Sequence, residues 1–372
     1  MRTPSIRFAA VLAAGALALA ACGGSDSDSG TSGSATPTST SDSSPTGEPA
    51  AECGTINFLQ PLPESIIFWP LITSRALGYF ADEGIEVNLL PGGELPETAF
   101  VENGEADIAS AGGPEVMQAI DAGADLKVVY DYWNVAAEGL VTLADGPSTP
   151  AEVKTVGLVT DSDAATVEII WASLGLDPAS VNTITLGESP AILAESLENG
   201  SVDAVAGAIS DFIGIQAAGV QIKDIAPAEF RASPSASFIV TPDSIANNGA
   251  CIQGFLRAWA KGTYAGLVNP EATQAMGRAA VPEEWLDEAT GIASYEQSVA
   301  YQEPVDPGGL FGVVQKAVWQ AQADDLIAIG ELDVESLDVN TFIDEQYIPG
   351  ANDWDRAEVE ADTKEWAAAN NG

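Results

Sequence analysis

The sequence predicts an α/β protein built as two lobes, each a mostly parallel sheet flanked by helices. Three observations predict it. From Cys53 onward, short apolar runs alternate with amphipathic stretches of helical length, the pattern of strands joined by crossover helices. The alternation halts at Gly146-Pro147 and then restarts. Finally, Glu102-Asn103-Gly104-Glu105-Ala106-Asp107 is echoed by Glu198-Asn199-Gly200-Ser201-Val202-Asp203. Each copy is a helix end, a turn glycine and an aspartate entering a strand, as two similar lobes would give.

In the first half, Thr55–Leu59 reads as a strand and Ser65–Phe80 as a helix, with Gly84 in its exit turn. Ile85–Leu90 is a strand closed by Pro91-Gly92-Gly93, and Leu95–Asn103 a helix. Asp107–Ser110 is a short strand stopped by Gly112-Gly113. Pro114–Ala122 is a helix with proline at its start, where a missing N–H costs nothing. Leu126–Tyr130 and Gly139–Leu143 follow as strands.

The second half repeats the scheme. Its strands are Thr155–Val159, Val181–Leu186, Val202–Ala206 and Val220–Ile225; its helices are Ala164–Leu174, Ala191–Asn199 and Asp211–Ala218. Phe238–Thr241 reads as a return strand. Residues 251–372 read as helices and loops, Ile252–Val268 and Phe311–Ile329 among them.

The N-terminus is of another kind. Arg2 and Arg7 precede an apolar run, Phe8 to Ala21, that is too short to cross a bilayer and reads as an export signal. Leu19-Ala20-Ala21-Cys22 matches a bacterial lipobox, so residues 1–21 are the expected signal peptide and Cys22 the lipidated residue. Gly23 to Pro49 is almost wholly Ser, Thr, Gly, Asp and Pro, and carries no apolar side chain larger than Ala. It cannot bury enough surface to offset its ordering entropy, so residues 22–52 read as a tether. The expected place is the extracytoplasmic face of the cell membrane, anchored rather than spanning.

Composition excludes several classes. The chain carries 13 Lys+Arg against 55 Asp+Glu and no His. Removal of residues 1–21 takes away Arg2 and Arg7 and no acid, so the mature charge is −42 − 2 = −44. Such a surface repels nucleic acid and anionic head groups. Without histidine there is no imidazole metal site and no Ser-His-Asp or Cys-His nucleophile. No metal or cofactor is implied. Of the 3 cysteines, Cys53 and Cys251 remain after Cys22 is assigned to lipid. They form either a disulfide, as the oxidising compartment favours, or two buried thiols.

Phe68-Trp69-Pro70-Leu71, Ala76-Leu77-Gly78-Tyr79-Phe80, Glu83-Gly84-Ile85-Glu86-Val87 and Pro91-Gly92-Gly93 resemble the opening of the ABC-importer solute-binding proteins for sulfonates, nitrate and thiamine-pyrimidine precursors. Gly104-Glu105-Ala106-Asp107-Ile108-Ala109 and Pro150-Ala151-Glu152-Val153-Lys154 are similar to later segments of that family. The resemblance covers roughly residues 54–270. It implies a periplasmic-binding-protein type II architecture with two hinge crossings and a small molecule held between the lobes. It also implies permease subunits in the membrane as partners and a monomeric, non-enzymatic protein. Lobe one is placed at 53–143 and 236–372, lobe two at 144–235.

Ligands of open α/β sheets lie beyond the carboxyl ends of the strands, which selects the loops. Glu64, Ser65, Phe68 and Trp69 open the first helix; Trp69 is a stacking face or a half-buried core residue. Ser110, Gly112 and Gly113 form either an N–H cradle for anionic oxygens or a bare strand–helix turn. Trp133 and Asn134 follow a strand end. Asp161, Ser162 and Thr166 either touch ligand or cap a helix, and Asp211 is an N-cap or an acceptor for a ligand amine. None of these loops holds Lys or Arg, which favours a cationic or neutral nitrogen heterocycle such as a pyrimidine over nitrate or a sulfonate. Arg75 and Arg231 are the cations that could still reach in. An enzyme of the same fold that makes the thiamine pyrimidine is the rival of another class, but it consumes an active-site histidine that this chain lacks.

Overall fold

The computed structural model describes residues 53–92 and 95–370. The signal peptide, the tether and Cys22 lie outside the described residues. Among the described residues ten strands form two sheets. The first has the order β2-β1-β3-β10-β4, from β1 (Gly54–Leu59), β2 (Ile85–Leu89), β3 (Ile108–Ala111), β4 (Lys127–Val135) and β10 (Ala232–Val240). The second has the order β7-β6-β8-β5-β9, from β5 (Glu138–Leu143), β6 (Thr155–Leu158), β7 (Asn182–Thr185), β8 (Ala204–Ala208) and β9 (Ile222–Asp224). Each sheet is parallel apart from one strand, β10 in the first and β5 in the second.

The helices of the first lobe's opening are α1 (Trp69–Ala76), α2 (Tyr79–Asp82), α3 (Glu97–Glu102) and α4 (Gly113–Asp121). Lobe two carries α5 (Ala164–Ser173), α6 (Pro190–Glu198), α7 (Ile209–Ala217) and α8 (Ala228–Arg231). The return to lobe one brings α9 (Pro242–Val268), α10 (Pro270–Ala280), α11 (Glu288–Gln302), α12 (Lys316–Ile329), α13 (Ile348–Ala351) and α14 (Arg356–Asn370). Among the described residues no helix is long and apolar enough to cross a membrane.

The repeated motif of the sequence is a repeated structure. In lobe one, Asn57 N donates to Asp107 Oδ2 at 2.8 Å and Asp107 N donates to Asn57 O at 2.8 Å. In lobe two, Thr155 N donates to Asp203 Oδ2 at 2.9 Å and Asp203 N to Thr155 O at 2.9 Å. Each aspartate clasps the backbone of the neighbouring parallel strand, and Gly104 and Gly200, at φ 72° and 70°, make the left-handed turns that deliver it.

Three expectations need correction. The helix expected over Ser65–Phe80 is broken: a 3-10 turn, Ile66–Phe68, precedes α1, and Gly78 at φ 82° separates α1 from α2. The lobe boundary at residue 143 falls too late, because β5 pairs with β8 and β9 in the second sheet; the chain crosses at Ala136-Ala137. The return begins earlier than 236, with Ala232 already paired to Val135. Pro234 hid that strand. It lies where the β10–β4 register shifts, a place where a residue without an N–H is tolerated.

The core of lobe one is aromatic. Phe58, Phe238, Phe255 and Trp259 are all fully buried, and Phe238 meets Phe58 and Trp259 edge-on with centroids 5.5 and 4.8 Å apart. Such pairs add about 0.5–1.5 kcal/mol each beyond the area they bury. Cys53 and Cys251 are disulfide-bonded with Cα atoms 5.4 Å apart, joining the entry to β1 with α9.

Candidate ligand site between the lobes

The carboxyl ends of the lobe-one strands converge on an aromatic group. Phe68, from the turn after β1, lies parallel to Trp133 of β4, with centroids 5.0 Å apart and 8° between planes. Tyr301 of α11 lies 5.0 Å from Trp133 on centroids. Tyr132 reaches Ser110 at the end of β3, with hydroxyl oxygens 2.7 Å apart, both residues buried. Trp133 is 7% exposed, yet its indole N–H has no partner among the described residues. A buried orphan donor is costly unless something accepts from it.

Around this group the expected residues divide. Ser65 caps the 3-10 turn, its Oγ accepting from Ile67 N at 3.2 Å. Glu64 is bound to Arg75, Nη1 to Oε1 at 2.6 Å, and Arg75 also donates to Val87 O. Arg231 pairs with Asp224 at 3.2 Å. Both cations that could have reached the site are therefore engaged. Asn134 is buried, its Nδ2 3.5 Å from Asp131 O, beside a cavity of about 10 Å³ bounded also by Gln302 and Gly312. Trp133 and Asn134 are themselves part of β4, which runs past the expected end at Tyr130 because Asp131 is buried by bonding to Ser237 of β10.

Trp69 does not stand at the site. It is wholly buried among Ile66, Ile72, Met276 and Trp285, and its Nε1 donates to Ser298 Oγ at 3.1 Å. Every member of that cluster belongs to lobe one, and Gly266 is small where the indole ring presses on α9. The core alternative for this tryptophan is the correct one.

The Gly112-Gly113 start of α4 is roofed over. A side chain at Gly113 would run into Gln322 of α12 and Pro234 of β10. Gln322 Oε1, itself without a partner, is an acceptor and would repel an anion. Burial pushes the Glu115 carboxyl, in the first turn of α4, up to about 7, even though it accepts from Thr98 N at 2.9 Å; Glu97 beside it adds to the rise.

On lobe two, Asp163 closes the start of α5 by accepting from Thr160 N and Oγ1 at 2.6 and 2.9 Å. Ser162 Oγ lies 2.6 Å from Thr160 Oγ1, and Asp161, exposed, accepts from Thr185 Oγ1 at 2.6 Å. Thr166 is buried in α5. Asp211 is not the N-cap; α7 starts at Ile209, and Asp211 in its first turn accepts from Ala208 N at 2.8 Å. Burial raises its pKa, and so do the neighbouring carboxylates Asp163 and Glu188.

The NMT1/THI5-like family description matches residues 66–273, more than half of the chain. The chain belongs to the NMT1/THI5-like family. No curated protein sequence matches it. Among solved structures, this NMT1/THI5-like protein is similar to the periplasmic aliphatic sulphonate binding protein SsuA of Escherichia coli, with 18% identity and a TM-score of 0.53, over 78% of this chain and 97% of that one. A putative periplasmic sulfonate-binding protein of Methylobacillus flagellatus KT gives 15% identity and a TM-score of 0.54, over 80% and 93%. The ligand-binding component of an ABC-type import system from Staphylococcus aureus, with zinc bound, gives 12% and 0.52, over 80% and 99%. These likenesses show the periplasmic-binding-protein fold.

Sequence reasoning missed several groups in the NMT1/THI5-like chain. Gln60, at the carboxyl end of β1, is 1% exposed and its Oε1 has no partner. Its signal is an amide closing the apolar Phe58-Leu59 pair just before the first site loop. Tyr301 and Gln302 gave no such signal, because nothing local tells which helix of a C-terminal bundle turns back to the strand ends.

Proposed function

We propose that this protein is the solute-binding component of an ABC importer, held to the outer face of the membrane through a lipid on Cys22. Its ligand is a cationic or neutral nitrogen heterocycle caught between the lobes. The observation that carries the ligand class is the charge of the walls. Asp163 and Glu188 both lie near enough to Asp211 on lobe two to raise its pKa beyond the effect of burial, Glu97 and Glu115 adjoin on lobe one, and Arg75 and Arg231 are both paired. A cation or an N–H-rich ring relieves that repulsion, and an anion adds to it. Trp133 supplies a buried, unpartnered donor for a ring nitrogen.

A sulfonate is the second reading, favoured by the names of the similar structures. The covering of Gly113 by Pro234 and Gln322 weighs against it. A thermal-shift panel of aminopyrimidines, alkanesulfonates and nitrate separates the two. A ligand at 100 times its Kd adds about 2.7 kcal/mol of stability. Stabilisation by sulfonates alone overturns the cationic reading. For the anchor, Cys22→Ser should abolish incorporation of labelled fatty acid.

A further inference from the structure

Besides the two backbone crossings, a third connection links the lobes, and it is made by side chains. α11 belongs to lobe one on one face: Ile292, Tyr295 and Val299 pack with Trp69 and Trp285, Trp69 Nε1 donates to Ser298 Oγ, and Tyr295 Oη donates to Gly266 O at 2.8 Å. Its other face packs against α7 of lobe two. There Ala293 and Tyr301 share a core cluster with Ile209 and Ile213. The spacing explains the fit. Positions 293, 297 and 301 are four apart and form one stripe of α11, while 209, 213 and 217 form the matching stripe of α7. Residues 292, 295 and 299 point elsewhere, so the helix is buried from two sides.

We propose that α11 is a brace between the lobes, on which α7 slides as the cleft opens and shuts. The α11–α7 contact is mainly apolar, with Ala293 and Tyr301 against Ile209 and Ile213 and Gln297 the one polar position of the stripe, so its burial favours approach of the lobes without help from a ligand. A ligand then adds a differential contribution to a closure that the protein already favours, rather than being its sole cause. The consequence for ligand uptake rests on the proposed binding function; the brace itself does not.

The test therefore uses no ligand. Spin labels at Glu105→Cys on lobe one and Glu168→Cys on lobe two, both exposed positions, report lobe separation by electron–electron distance measurement. Two variants act on the brace: Ile213→Ser removes an apolar contact, and Ala293→Leu over-fills the interface. The expected result is a broader distribution displaced to longer distance in each, with the native circular dichroism retained. Distributions that superimpose on the unmodified protein's in both variants would overturn the brace. If neither variant folds, the unmodified protein still decides: slow amide exchange across α7 and a narrow distance distribution support the brace, whereas a broad, open distribution rules it out. Absence of any stabilising ligand in the panel would count against the binding function and leave this result intact.

Discussion

Phe68 and Trp133 lie parallel, 8° apart with centroids 5.0 Å from each other, at the carboxyl ends of β1 and β4. One face of the indole is used by Phe68, while its N–H is buried and unanswered. The two features can be separated by substitution. Trp133→Phe keeps an aromatic partner for Phe68 and removes the orphan donor, so its stability should stay within about 1 kcal/mol of the parent protein. Trp133→Ala should lose about 3–5 kcal/mol, measured by denaturant unfolding. If the indole N–H serves the ligand, Trp133→Phe binds more weakly on the order of 1 kcal/mol by calorimetry. An unchanged Kd removes that role.

Asp211 tests the charge of lobe two. Asparagine can still accept from Ala208 N, so Asp211→Asn should fold and melt close to the parent protein. It removes a carboxylate whose pKa is raised by burial and further by the neighbouring Asp163 and Glu188. Affinity for a cationic ligand should fall by about 1–3 kcal/mol, and affinity for an anion should not fall. Weaker binding of an anion would reverse the assignment of the ligand's charge.

These residues also mark how far the sequence could be read. The alternation of apolar runs and the echo of Asp107 in Asp203 led directly to two matching sheets, because strand entry is a local event repeated twice. Boundaries failed where a tertiary partner overrode a local signal. Asp131 looked like a strand end but is carried through β4 by Ser237, and Pro234 looked like a loop but lies at a register shift. Phe68 and Trp133 were placed by the rule for strand ends. Trp69 stands next to Phe68 in the sequence, but a helix turns each successive side chain by about 100°, and its own direction leads to α9 and α11. Nothing in the sequence of α11 announces which lobe each of its faces meets.

Asp131 makes a pH prediction. It is 1% exposed, bonded to Ser237 Oγ at 2.6 Å and to Trp319 Nε1 at 2.9 Å, and burial pushes its pKa up to about 7 from 3.8 despite those bonds. The folded protein therefore holds the proton more tightly than the unfolded chain does. The stability this gives is fully present below about pH 4 and is lost as pH rises towards 7. Asp131→Asn keeps a neutral group of the same shape and should flatten that part of the profile. The variant should match the parent near pH 4 and exceed it at pH 8, read from unfolding curves at each pH. Parallel profiles for the two proteins would show that Asp131 does not bind the proton.

Trp69 provides the contrast that tells a core residue from a ligand contact. Its indole is enclosed by Ile66, Ile72, Met276 and Trp285, and it donates to Ser298. Truncation should leave a large hole between α1, α9 and α11, and Trp69→Ala should cost about 3–5 kcal/mol of stability. Trp69→Phe, which loses the hydrogen bond and part of the volume, should cost less. In both variants the Kd of the stabilising ligand, measured at a temperature where the protein remains folded, should stay within about twofold of the parent, which is about 0.4 kcal/mol. Trp133→Ala should show the opposite balance in affinity. A tenfold loss of affinity in Trp69→Phe with little loss of stability would return Trp69 to the ligand wall.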